Sequence, residues 1–239
     1  MVFNDTSTKL GLIQDCEQTI FSNYGDITGN TNRLYDFTAR LNRAYDKLAT
    51  KIMSVDGRWQ FDDTNYTDLP IGSTALVSSQ QDYSFDVEFL DIVKVLILDS
   101  SGNKILLHPI DINDPIAKVY LTDVTSNGGI PTYYDKTGGT VMLYPTPNYS
   151  IASGLTVHYR RKPSYFTHTD TTKSVGVPAI FHRYLSLEAS LDYALSKSLA
   201  IKNDLAVMVK EMEAMIEDWY SKRSKDEQKI IKSYYRSNR

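Results

Sequence analysis

The sequence has a single cysteine, Cys16, in 239 residues, so no internal disulfide can staple the fold. Four scattered histidines without a cysteine set provide no structural zinc site. No apolar run approaches the roughly 18 residues of a membrane span, so no membrane association is expected. The opening Met1-Val2-Phe3-Asn4-Asp5 lacks the basic start and apolar block of a signal peptide, and the chain is expected to be made and kept in the cytoplasm of the producing cell. A phosphate loop is missing as well. Gly128-Gly129 and Gly138-Gly139 lie in strand-and-turn surroundings, with no following helix that carries Lys-Ser/Thr. There is no Gly-x-Ser-x-Gly elbow, and His108, His158, His168 and His182 show no metal-ligand spacing. His168-Thr169-Asp170 reads as a solvated loop, as does Asp62-Asp63, whose carboxylates point apart as sequence neighbours. Cys16 falls in a helical pattern with no adjacent base and reads as a half-buried structural thiol. These absences leave no catalytic residue, metal site or cofactor to name.

What is present is enough apolar residue, 41%, to bury a core, organised as one large domain or two small ones. Its thirds read as helical, strand-rich and helical. Leu10, Ile13, Cys16/Glu17 and Ile20 give a short helix from about Ser7 to Phe21. Leu34, Phe37, Leu41, Ala44/Tyr45, Leu48 and Ile52 mark a stronger one from about Thr31 to Met53. From Asp56 to about Ser174 the period changes to two. Leu90 to Leu98 reads as a strand buried on much of both faces, turning at Asp99 to Asn103 into Lys104 to His108. Thr132 to Asp135 and Thr140 to Tyr144 flank Gly138-Gly139 as a hairpin, and Leu155 to Arg160 alternates as a strand with one wet face. Pro178 suits the first turn of a helix carrying Ile180, Tyr184, Leu187, Leu191 and Ala194/Leu195. Asn203-Asp204 are placed to cap a last helix with Leu205, Met208, Met212, Met215 and Trp219 at 3-4 spacing, read as core packing. The fold class is therefore α+β, a four-helix bundle from the N- and C-terminal thirds with an inserted antiparallel β domain. Its expected boundaries are 1–55 and 175–221 for the bundle, 56–174 for the insertion and 222–239 for a C-terminal extension.

The net charge of −3 hides an uneven distribution. From Asp56 to Asp135 there are 13 acidic residues against Arg58, Lys94, Lys104 and Lys118, a balance of −9. Lys222 to Arg239 carry seven basic residues against Asp226 and Glu227, a balance of +5. Ile230, Ile231, Tyr234 and Tyr235 give that basic end apolar and aromatic anchors of the kind that carry interface energy. An acidic middle argues against a dedicated nucleic-acid binder and suits a surface that a polyanion slides past.

A set of short motifs runs in order. Gly129-Ile130-Pro131-Thr132-Tyr133-Tyr134 is followed by Gly138-Gly139-Thr140-Val141-Met142-Leu143-Tyr144-Pro145-Thr146-Pro147, then Leu155-Thr156-Val157-His158-Tyr159-Arg160-Arg161-Lys162-Pro163. Upstream stand Gln81 to Phe85 and Phe89 to Val95, and downstream Val177 to Leu185. From about Asn30 to Trp219 this order resembles the head-to-tail adaptor (connector) proteins of tailed bacteriophages. The resemblance implies a ring, commonly of twelve copies, docked below the portal protein and bridging it to the tail or nozzle protein. It also implies residence in the virion neck after synthesis in the host cytoplasm, with double-stranded DNA passing through without sequence-specific binding. It implies further that the C-terminal extension engages the portal and that the protein is structural, not an enzyme. The residues with properties suited to that docking are Lys222, Arg223, Lys225, Lys229, Ile230, Ile231, Lys232, Tyr234, Tyr235 and Arg236. The competing reading is a carbohydrate- or receptor-binding tail component, because a Tyr-rich β domain can stack sugar rings; it predicts aromatics clustered on an exposed β face.

Overall fold

The structure, a computed structural model, describes residues 1–55, 71–84, 89–110, 128–137 and 139–223. The fold is α+β, in two compact units. Of the described residues, a helical unit takes 1–55, 166–173 and 179–223, and a β unit takes 71–84, 89–110, 128–137, 139–165 and 174–178.

The helical unit contains α1 (Leu12–Phe21), α2 (Thr31–Val55), α3 (His182–Ser196) and α4 (Lys202–Arg223). Helix α3 packs against each of the other three, and α2 also meets α4. Its sequence explains that central place. Tyr184, Leu185, Leu187, Ala189 and Ala194 are buried, and so are Ser186 and Ser190, whose small side chains let neighbouring helices come close. A helix buried nearly all round needs little amphipathic contrast, so one apolar stripe describes it poorly. Ile180 and Leu195, expected on that stripe, are exposed, and Pro178 precedes a 3-10 turn, Ala179–Phe181, with α3 starting at His182. Helix α2 buries Phe37, Leu41, Ala44, Tyr45, Leu48 and Ile52, the face its periodicity gives.

Helix α1 starts five residues later than its pattern, at Leu12. The Asp5 carboxylate accepts from the Ser7 and Thr8 N–H groups, and Lys9 has φ 63°, so residues 5–9 turn rather than coil and Leu10 is left exposed. Gly11 stands before the helix because a Cβ there would lie 2.2 Å from Gln14 Oε1, which accepts from the Asp5 N–H. Residues 166–173 belong to the helical unit, although the sequence reading ran the β insertion through 174: Phe166 stacks on Phe3 at 4.9 Å and on Tyr45 at 5.6 Å. Conversely, residues 174–178 lie with the β unit, where Val175 and Val177 are buried.

A ladder of charges fixes the register of α2. Arg40 and Arg43 reach Asp192 of α3 at 3.0 and 2.8 Å, Lys47 pairs with Glu188, and Lys51 reaches Glu213 and Glu217 of α4 at 3.0 and 2.8 Å. Burial alone would raise the Asp192 carboxyl, but the Arg43 hydrogen bond and the Arg40 charge outweigh it and hold it below the usual value. A depressed carboxyl stabilises the fold above its unfolded value near 3.9 and loses that contribution as pH falls through the folded value. Because the pair is partly exposed, Asp192→Asn should cost less than about 1 kcal/mol at pH 7. Chemical denaturation should show that difference vanishing near pH 2; a difference that persists there would mean that packing, not charge, carries the effect.

The β unit holds β1 (Ile71–Leu76), β2 (Asp82–Ser84), β3 (Phe89–Leu98), β4 (Lys104–Leu106), β5 (His108–Pro109), β6 (Tyr133–Thr137), β7 (Thr140–Tyr144) and β8 (Ile151–Arg161). They form two four-stranded sheets, β1-β8-β3-β4 and β2-β7-β6-β5. Pairing is antiparallel except between β5 and β6. Alternating side chains from both sheets meet in one core: Leu76, Val95, Ile97, Leu155 and Val157 from the first, Tyr83, Tyr134, Val141 and Leu143 from the second. Strands β6 and β7 pair antiparallel, with Thr137 opposite Thr140, as the hairpin expectation requires.

Two strand expectations change. Lys104 to His108 is not one strand, because the chain crosses between sheets at buried Leu107: its N–H donates to Val95 O, and the next, of His108, to Thr132 O. Strand β3 is not buried on both faces either. Val95 and Ile97 point inward, while Lys94 is exposed and Leu96 and Leu98 are half-buried. Continuous apolar sequence hid a one-sided strand.

Candidate interaction surfaces

Helix α4 presents two apolar stripes. Leu205, Val209, Ile216 and Tyr220 are buried within the helical unit, with Met212 beside them. Of the stripe expected from the sequence to be core, Leu205 is buried and Met212 half-buried, but Met208, Met215 and Trp219 are 45%, 54% and 39% exposed. Each of these exposed residues lies one position before a buried one or beside it, so 3-4 spacing fits both stripes, and the periodicity did not tell which faces inward. Trp219 is anchored from one side by the Phe181 and Tyr220 rings, at 5.6 and 4.8 Å, while Met208 and Met215 face solvent. Helix α4 begins at Lys202, so Asn203-Asp204 stand in its first turn rather than at its cap.

Of the residues suited to portal docking, Lys222 is described in the last turn of α4, 2.5 Å from Asp218, and Arg223 is the last described residue. Lys225, Lys229, Ile230, Ile231, Lys232, Tyr234, Tyr235 and Arg236 lie outside the described residues. So do Asp62-Asp63. Of the 13 carboxylates of the acidic stretch, those of Asp82, Asp99 and Asp135 have described side chains.

A groove between α2 and α4, lined by Asp46, Lys47, Lys51, Tyr184, Glu213 and Glu217, is occupied by its own ion pairs. Burial alone would lower the Lys51 ammonium, but hydrogen bonds to Glu217 and Glu213 hold it above its usual value. The Tyr184 hydroxyl, pushed up by burial, donates to Glu213 at 3.0 Å. Cys16 is fully buried, not half-buried, and burial pushes its thiol far above the usual range, the reverse of an activated nucleophile. Among the described residues no three His, Cys, Asp or Glu side chains gather as metal ligands, and no helix is long and apolar enough to cross a membrane.

The aromatics of the β unit are informative. Tyr83, Tyr134 and Tyr144 are buried, and the Tyr149 hydroxyl donates to Leu98 O at 2.7 Å. A family model described as SU10 adaptor protein matches residues 10–228. The chain belongs to that family. SU10 adaptor proteins are bacteriophage structural proteins, which implies a virion component that associates with other phage structural proteins and points to a non-enzymatic role. The family match runs beyond the stretch that carries the connector resemblance at both ends, from before α1 into the basic terminus. No curated protein matches the chain.

Proposed function

We propose that this SU10 adaptor protein forms a ring between the portal and the tail of a bacteriophage, closing the neck and letting DNA pass. The observation that carries this reading is the second apolar stripe of α4, Met208, Met215 and Trp219, which leads along the helix to the start of the basic end. Exposed apolar side chains aligned on one helix face are the mark of a covered surface in an assembly. In this reading the stripe meets a neighbouring copy, and the extension 222–239 engages the portal. The ring of twelve, the tail or nozzle contact and the position in the neck belong to the same proposal. The chain's overall acidity, −8 without its last 18 residues, suits a wall that DNA slides past. A glycan-binding reading asks for an exposed aromatic platform; among the described β-unit tyrosines, Tyr165 alone is exposed.

Light scattering tests the proposal through particle mass, with and without the portal ring encoded in the same genome. A chain that adds a whole ring's mass to the portal is expected. No association at any salt concentration would overturn the reading.

A further inference from the structure

Among the described side chains, the outer faces of the two sheets carry opposite charge. In the first sheet, residues directly opposite across strands share a face, and the register aligns Ile71, His158 and Lys94 in one row. Ser73, Thr156, Leu96 and Leu106 form the next row, and Leu98 faces Lys104 beyond it. Their neighbours Val95, Ile97, Leu155 and Val157 point into the core, so these rows point out. Lys94 and Lys104 are exposed and make no ion pair among the described residues. Burial, then the charges of these two lysines, lowers His158 below its usual value. The Asp99 carboxylate in the β3–β4 turn is occupied by the Ser101 and Asn103 N–H groups and the Asn103 amide. Arg160, in register with Asp91, continues the outward positions of β8. Ile71 and Leu106 are 58% and 50% exposed at the rims of this face, and a groove of about 290 Å³ runs over Ser73, Leu96, Thr156 and His158.

On the second sheet the register places Asp82 and Asp135 on either side of Met142 in a single row. Tyr83, Tyr134, Val141 and Leu143 point inward, so both carboxylates point out. The Asp135 carboxylate accepts from the Thr137 hydroxyl, and neither aspartate has an ion-pair partner among the described residues. Lys136 alternates to the other side of β6, and His108 stands opposite Tyr133 at the sheet's edge.

We infer that the basic outer face of β1-β8-β3-β4 docks on the acidic outer face of β2-β7-β6-β5 of a second copy. The inference rests on the ring reading and names a second contact within it, beside that of the α4 stripe. One molecule carries both members of a complementary pair on opposite faces of one sandwich, the condition for a head-to-tail contact that closes into a ring when its rotation allows. Lys94 and Lys104 supply orientation and steering, and Leu96, Leu106, Ile71 and Met142 supply the apolar contact.

Two variants test this. Lys94→Glu with Lys104→Glu makes both faces acidic, and Asp82→Lys with Asp135→Lys makes both basic. These positions lie outside the core, so circular dichroism melts should match wild type. Light scattering over a concentration series, alone and with the portal ring, should show each variant needing at least about tenfold more protein to associate. An equimolar mixture should recover wild-type behaviour as alternating copies. Wild-type association should weaken from about 0.1 M to about 1 M salt, as the Debye length falls from about 10 to about 3 Å. Variants that assemble like wild type, a mixture that stays monomeric, or association indifferent to salt would each overturn the contact. In the first case the ring reading still stands on another surface. A wild-type chain that never associates would overturn both. Unchanged assembly with lost retention of the Lys94/Lys104 variant on duplex DNA would assign the basic face to phosphate instead.

Discussion

Glu17→Ala should be the most damaging single substitution in the helical unit, lowering the thermal midpoint by roughly 10 °C. The Glu17 side chain is fully buried on α1, and its Oε1 accepts from the Ile27 N–H at 2.9 Å, the Thr28 N–H at 2.7 Å and the Thr28 hydroxyl at 2.9 Å. One carboxylate oxygen thus holds the connection between α1 and α2. Removing it strands two backbone donors, at about 1–3 kcal/mol each, and leaves a cavity as well. The sum is about 3–5 kcal/mol, a large fraction of a domain's stability. Glu17→Gln separates the causes. Its amide oxygen keeps the acceptor, and its nitrogen replaces Oε2, which is buried with no hydrogen-bond partner among the described residues, so a loss of only about 1–2 kcal/mol is expected. Scanning calorimetry of both variants checks this. An alanine variant that melts within about 2 °C of wild type would show that the turn holds itself.

Glu17 also marks where sequence reading runs out. Periodicity located α2 and the hairpin about 138–139 because each buries one face against a matching layer, and alternation survives as a pattern. It placed Glu17 on a buried stripe without a reason for a carboxylate to be there, because the reason is two N–H groups ten and eleven residues away. In α4 the pattern was ambiguous rather than silent: Met208, Met215 and Trp219 fit helical spacing as well as Val209, Ile216 and Tyr220 do, and only packing chose between them. Strand β1 was missed because Gly72-Ser73-Thr74 carries no apolar alternation, as expected of an edge strand with one neighbour. The two-faced charge of the sandwich was hidden for another reason. Lys94 and Lys104 appear in the sequence as minor exceptions in an acidic stretch, and only the register of β3, β4 and β8 gathers them beside His158.

Deleting Lys222 to Arg239 should abolish attachment to the portal while leaving the helical unit's melting midpoint within about 2 °C of wild type. The deletion removes the one described ion pair of this end, Lys222 with Asp218, an exposed i,i+4 pair worth less than about 1 kcal/mol. It leaves Tyr220, the last buried side chain of α4, in place. What goes is a +5 segment with Ile230, Ile231, Tyr234 and Tyr235, the anchors the docking reading depends on. The complementary change is Met208→Lys with Met215→Lys. Both side chains face solvent, so stability should shift by no more than about 0.5 kcal/mol each. Trp219 is left alone because its contacts with Phe181 and Tyr220 would mix folding with assembly. In co-sedimentation with portal rings the two variants should fail differently. The truncated chain should stay in the supernatant, whereas the methionine variant should bind through its intact end at lower occupancy, without the sharp onset that neighbour contacts give. Equal attachment by the truncated chain would remove the docking role of residues 222–239, and a wild-type onset for the methionine variant would remove the α4 stripe from the contact between copies.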